Sequence, residues 1–228
     1  MGMVLLVRHG QASFGAEDYD VLSETGAAQS KRLGAWLREA AVQPAALVHG
    51  AMRRQRDTAT AMAEGAGWLL APELDEGWNE FDHLGVVARD SHAHGEAGSR
   101  LRSTTDLDRR SFQRAFVQAT ARWSGGAHDD EYDESWPAFV ARTAAALDRA
   151  CARDGVTLVV SSGGPIAVAC AVLVDPDATV QELPRLWNAF NTVSANTGVT
   201  RVITGSTGRR MLTFNEHSHL AREQVTYR

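Results

Sequence analysis

Val156-Thr157-Leu158-Val159-Val160-Ser161-Ser162-Gly163-Gly164-Pro165 decides the architecture, because five apolar or β-branched residues run straight into a serine and glycine turn. Such a run lacks the polar alternation of a half-solvated strand, and it suits a central parallel strand buried on both faces. Ile166 to Val174, built of small and apolar residues, then reads as a helix packed back onto the sheet.

The same grammar recurs on either side. Val4 to Val7 is a second short apolar run, closed by Arg8-His9-Gly10. From Ser23 to about Ala41 the period becomes helical, with Leu33, Trp36, Leu37 and Ala40 on one face and Pro44 beyond the end. Ala45 to Val48 reads as a strand, and Arg53 to Glu64 as a helix rich in alanine that gives way at Gly65 and Gly67. Trp136, Phe139, Val140, Thr143, Leu147 and Ala150 recur at helical spacing, with Pro137 near the start, where a missing donor costs little. Gly198 to Thr204 and Arg210 to Phe214 are two more strands, joined by Gly205-Ser206-Thr207-Gly208. This order predicts a three-layer α/β/α sandwich with a mostly parallel central sheet. Pro72 to roughly Arg109 has few sustained apolar periods and is expected to be irregular, with a helix resuming over Ser111 to Trp123, where Phe112 and Phe116 are neighbours on one face. No repeat or low-complexity linker divides the chain, so residues 1–228 are expected to form a single domain with an inserted cap at about 77–134.

Bulk properties exclude several classes. With 28 acidic and 23 basic residues, the net charge of -5 argues against a broad nucleic-acid footprint, and 44% hydrophobic residues is ordinary for a globular chain. The opening Met1-Gly2-Met3-Val4 lacks a basic leader and reads as a first strand instead of an export signal. No segment reaches the ~18 uninterrupted apolar residues of a membrane span. Cys151 and Cys170 sit in apolar helical patterns and read as buried free thiols, from which a cytoplasmic location is the expectation.

Four stretches carry candidate chemistry. Arg8 beside His9 puts an anion clamp and a nucleophile on one strand-end loop, although a surface arginine next to an ordinary histidine is the plain alternative. Arg53-Arg54-Gln55-Arg56 begins a helix, whose free amides and one arginine would converge on an anion, unless the cluster is a solvated face. Leu74-Asp75-Glu76-Gly77-Trp78 offers a carboxyl that could protonate a leaving oxygen, with Glu73, Asp75, Glu80 and Asp82 as neighbouring alternatives. In Ser161-Ser162-Gly163-Gly164 the glycines admit close backbone approach and the hydroxyls add donors, or the turn is satisfied locally. It is neither a Walker loop nor a nucleophile elbow. His92 with His94, and His217 with His219, are two apart and have no Cys partners, so no metal and no cofactor is expected. Trp78, Phe81 and Trp187 read as packing, with a substrate wall as the alternative.

Three motifs in order, Leu6-Val7-Arg8-His9-Gly10-Gln11-Ala12, Leu22-Ser23-Glu24-Thr25-Gly26 and Asn215-Glu216-His217-Ser218-His219-Leu220, make the chain resemble the histidine phosphatase superfamily, which also holds the cofactor-dependent phosphoglycerate mutases. The resemblance implies that Arg8 and Arg54 hold phosphate oxygens, that His9 becomes a transient phosphohistidine and that Glu76 donates the proton. Arg54 is favoured over Arg53 because it lies four residues before Thr58, although position 57 is Asp where the family usually has Gln. It also implies a departure: the family usually reads Ser-His-Gly-Gly where this chain reads Ser161-Ser162-Gly163-Gly164, so Ser162 replaces the second catalytic histidine. Ser162 and Gly163 are then expected phosphate contacts, but a serine gives a neutral hydrogen bond where an imidazolium gives a charge-assisted one. His83, His92, His94 and His128 are candidates to bring another imidazole from the cap. The implied activity is phosphomonoester hydrolysis on a phosphorylated small molecule, without nucleic-acid or membrane partners and with homo-oligomerisation left open. An impaired phosphate-ester-binding protein is the alternative, and a phosphoglycerate-type mutase a weaker one.

Overall fold

The computed structural model describes residues 2–13, 20–93 and 109–227. In chain order these residues form β1 (Gly2–Arg8), α1 (Glu24–Glu39), β2 (Pro44–His49), α2 (Arg53–Ala66), β3 (Glu73–Leu74), α3 (His83–Ala93), α4 (Arg109–Ser124), α5 (Trp136–Cys151), β4 (Val156–Ser161), α6 (Gly163–Val174), α7 (Leu183–Val193), β5 (Val199–Gly205) and β6 (Gly208–Glu216). The six strands make one sheet in the order β3-β2-β4-β1-β5-β6. β3, β2, β4 and β1 run parallel, and β5 and β6 add an antiparallel margin.

Strand alternation sorts the core into two faces. Leu5, Val7, Leu47, Leu158 and Val160 point to one side, where they meet Leu33 and Leu37 of α1 and Ala59 and Met62 of α2. Val4, Leu6, Val48 and Val159 point to the other, against Leu147 and Ala150 of α5 and Ile166 and Ala169 of α6. The result is the three-layer α/β/α sandwich with a mostly parallel sheet. α6 is apolar all round because it is covered on its far side too, by an aromatic cluster of Phe81, Trp123, Trp136, Phe139 and Trp187. Trp78, Phe81 and Trp187 are thus packing residues, each no more than 3% exposed.

Two helices differ from expectation. The stretch expected to be irregular contains α3, whose Val86 and Val87 are held by the aromatic cluster; such a short, weakly patterned helix draws its stability from tertiary packing. α7 was not foreseen either, although Leu183, Leu186, Trp187 and Phe190 carry a helical stripe that faces the same cluster. Residues 94–108 of the expected cap, with His94, and the side chains of His92 and Phe112 lie outside the described residues. Among the described residues no helix is long and apolar enough to cross a membrane.

Two features set the position of α2, which matters for the site. Gly34 of α1 and Gly65 of α2 let the two backbones touch: a Cβ on Gly34 would lie 2.0 Å from the Met62 carbonyl oxygen, and one on Gly65 would lie 2.1 Å from that of Lys31. Gly34→Ala is therefore expected to destabilise the protein by ~1 to 3 kcal/mol, the usual range for overpacking, read as a lower melting temperature. The parallel strands also end together. Arg8 pairs with Ser161 and His49 with Val160, so the loops after β1, β2 and β4 share one edge, where open α/β sheets bind ligands.

Candidate active site

His9 follows β1 directly and is 4% exposed. Its backbone is fixed on both sides, the amide donating to the Ser161 carbonyl at 2.8 Å and the carbonyl accepting from Asn196 Nδ2 at 3.0 Å. The ring Nδ1 lies 2.7 Å from the Gly10 carbonyl oxygen. A carbonyl has no proton to give, so Nδ1 carries the hydrogen and Nε2 keeps its lone pair. Nε2 accepts from Arg54 Nε at 3.1 Å. Burial, then the charges of Arg54 and Arg8, hold the His9 pKa well below its ordinary 6.5, with the Gly10 bond opposing the shift. The imidazole is neutral at pH 7, with its free nitrogen facing a guanidinium.

Arg54 lies in the first turn of α2 and is 5% exposed. Asp20 holds it, accepting from Nη1 at 2.6 Å through one oxygen and from the Arg53 backbone amide at 2.8 Å through the other. Thr58, four residues on, accepts from the Gly10 amide at 2.9 Å and donates to the Arg54 carbonyl at 2.7 Å. One helical turn thus ties the His9 loop to the arginine. Arg8 Nη1 donates to the Ser194 carbonyl and, at 3.3 Å, to that of Tyr227.

After β4, Ser162 is buried and begins α6 without capping it; its Oγ accepts from Gln55 Nε2 at 2.8 Å. Gly163 lies beside Arg8, since a Cβ there would come within 3.8 Å of Arg8 Nε. The Gly164 amide donates to Glu80 Oε2 at 3.1 Å, and the Phe81 amide to Glu80 Oε1 at 3.2 Å. Burial raises the Glu80 pKa against the opposing pull of these amides and of Arg54 and Arg8. Its bond to the Gly164 amide puts the Glu80 carboxyl beside the glycine turn after β4.

His9, Arg8, Arg54, Ser162 and Gly163 lie together at the strand-end edge; Glu76 does not join them. It opens the short 3-10 turn Glu76–Trp78 and is exposed, while the turn directs Glu80 inward. Among the histidines considered for the cap, His83 is half-buried, and burial followed by the Arg54 charge lowers its pKa. His128 is turned to the surface, with Nδ1 2.9 Å from Glu131 Oε1. His217 lies against the Asn215 carbonyl at 2.6 Å and His219 against Thr197 Oγ1 at 3.0 Å. Among the described residues no three His, Cys, Asp or Glu side chains gather as metal ligands. Both cysteines are free thiols, and burial pushes Cys170 up to about 12.

Sequence reading missed Asp20, Asn196 and Gln55. Only Gln55 had a clear signal: with Thr58, Ala59 and Met62 it shares the inward stripe of α2.

Solved structures with this fold include a phosphoserine phosphatase variant from Entamoeba histolytica in complex with phosphoserine, which is 18% identical with a TM-score of 0.67 and is matched over 97% of this chain and 100% of that one. A mycobacterial glucosyl-3-phosphoglycerate phosphatase with inorganic phosphate is 21% identical over 97% of this chain and 100% of its own, with a TM-score of 0.64. A phosphoglycerate mutase from Bacillus anthracis is 18% identical over 96% of this chain and 94% of its own, with a TM-score of 0.65. No curated protein matches the chain. These likenesses establish the fold, while the match that bears on chemistry, and supports phosphatase-like enzymatic activity, is to the family model over residues 4–217. Since that match spans the strand-end histidine, both arginines and the glycine turn of this pocket, the chain belongs to the histidine phosphatase superfamily, branch 1.

Proposed function

We propose that the protein hydrolyses phosphomonoesters of a small molecule through a phosphohistidine at His9. The observation that carries this reading is the His9 Nδ1 contact with the Gly10 carbonyl, which accepts from Nδ1–H and so leaves the neutral Nε2 lone pair facing Arg54. A phosphoryl group entering the pocket takes over the Arg54 donor that Nε2 now holds, and Arg8 and the Gly163 backbone amide grip its other oxygens.

In the first step Nε2 bonds to phosphorus while the ester P–O bond breaks, and the departing alcohol oxygen takes a proton from Glu80. In the second, water gives that carboxylate a proton, its oxygen bonds to phosphorus and the P–N bond breaks, releasing inorganic phosphate. We assign the proton to Glu80 in preference to Glu76, because Glu80 lies within the field of both arginines and its raised pKa keeps it protonated to higher pH. The segment expected as a cap, about 77–134, would thereby supply the acid, and His83 stands in the same segment near Arg54. We further read Ser162 as occupying the place of the family's second catalytic histidine.

Phosphate release from a panel of phosphomonoesters tests the reading. Addition of alcohol or hydroxy-acid acceptors should leave most of the phosphate going to water. Preferential transfer to an acceptor would favour a mutase, and binding of esters without release would favour an impaired binding protein.

A further inference from the structure

Gln55 has no role in the steps above, yet it is fully buried and contacts Ser162. Its amide nitrogen serves two acceptors, the Ser162 hydroxyl oxygen at 2.8 Å and the Trp78 carbonyl at 3.2 Å. The carbonyl fixes which end of the amide is which. Trp78 O can only accept, so the edge facing it must be the NH2 group, and both of its hydrogens are then committed.

That assignment dictates where the serine proton goes. An amide NH2 cannot accept, so Ser162 cannot give its proton to Gln55 Nε2. The Trp78 carbonyl is already saturated, since Ser161 Oγ also donates to it, at 2.7 Å. Gln55 Oε1 is turned towards Gly50, where a Cβ would come within 2.1 Å of it, and it is buried without a hydrogen-bond partner among the described residues. Ser162 Oγ is thus an acceptor towards Gln55 and has no protein acceptor for its own hydrogen among the described residues. Ser162 follows Ser161, whose carbonyl accepts from the His9 amide, and precedes Gly163, so its hydroxyl stands at the same strand-end edge as His9.

We propose that Gln55 is a positioning residue that holds the Ser162 hydroxyl as a neutral donor to the phosphoryl group. The inference rests on the phosphoryl-transfer reading of the pocket. It explains how a buried serine can be an organised contact in place of an imidazole: the amide occupies one lone pair and leaves the proton for the ligand. Removing the amide would let the hydroxyl turn inward, so Gln55 acts only through Ser162.

The test is a double-mutant cycle read by calorimetric binding of orthovanadate, with melting temperatures as a check on folding. Gln55→Met and Ser162→Ala should each weaken vanadate binding by about tenfold or more, the scale of a hydrogen bond to a charged group, and the double variant should bind no more weakly than Ser162→Ala alone. Losses that multiply in the double variant, or full affinity in Gln55→Met, would overturn the proposal. If Gln55→Met does not fold, Ser162→Ala still decides, because unchanged affinity there removes the donor that Gln55 is said to hold. The coupling in a protein that releases no phosphate would leave the positioning role standing and the hydrolase reading not. Turnover with multiplicative losses would do the reverse, and a wild-type protein that does not bind vanadate would end both.

Discussion

His9→Ala is expected to lower phosphate release by at least about 10⁴-fold, on the scale of nucleophile removal in another covalent enzyme. Alanine removes the nitrogen that meets phosphorus, and its neighbours among the described residues are poor replacements: Arg8 and Arg54 are cations, and Ser162 already accepts from Gln55. The substitution also frees Arg54 Nε for the ligand, so binding of phosphate esters should survive far better than turnover. A variant that still binds but no longer releases phosphate is the expected phenotype. Retention of near-normal turnover would remove His9 from the chemistry.

The pH behaviour follows from the same environment. The His9 pKa is depressed below its ordinary 6.5 by burial and by two arginines. Activity should therefore persist as pH falls through the ordinary histidine range, and fail only near the depressed value, where Nε2 takes a proton. Stability moves the same way: the unfolded chain binds the proton first, so the contribution of His9 is present above pH ~6.5 and is lost as pH falls towards the depressed value.

The second large effect concerns the acid. Glu80→Gln should lower kcat by about 10²- to 10⁴-fold for an alkyl phosphate, the usual range for a general acid, whereas Glu76→Gln should leave kcat within about twofold. Glutamine keeps one acceptor oxygen, enough for either the Gly164 or the Phe81 amide, and removes the acid proton, so a melting curve of Glu80→Gln accompanies the kinetics. For an aryl ester with a good leaving group, which departs without a proton, the Glu80→Gln loss in the first step should shrink. Burial raises the Glu80 pKa, so the alkaline limb of the wild-type profile should lie above the ordinary carboxyl range and disappear in Glu80→Gln. His9 pushed down and Glu80 pushed up bring a neutral nucleophile and a protonated acid into one pH window. A large effect at Glu76 and none at Glu80 would reverse the assignment.

Much of this was legible in the sequence where one physical signal dominated. Val4 to Val7 and Val156 to Val160 read as buried strands because both faces of each are covered by helices. The Arg8-His9 loop and the Ser162-Gly163 turn could be placed together because parallel strands end on one edge. Glu76 and Glu80 could not be separated by sequence, since both are acids in one short stretch; what divides them is a single 3-10 turn that leaves one exposed and directs the other to the Gly164 amide. Gln55 was hidden for a different reason. Its stripe on α2 marks it as inward, but only the fold brings it to Ser162, 107 residues away in sequence. Asp20 and Asn196 are likewise tertiary partners, of Arg54 and of the His9 carbonyl, and carry no local signature.

The central claim is that phosphorus passes through His9. A rapid chemical quench at alkaline pH during turnover of a phosphomonoester, followed by peptide mass spectrometry, measures this directly, because phosphohistidine survives base and is lost in acid. The account predicts an acid-labile phosphoryl group on His9 that forms within the first turnover and is absent in His9→Ala. Phosphate release at full rate with His9 unmodified throughout would contradict it.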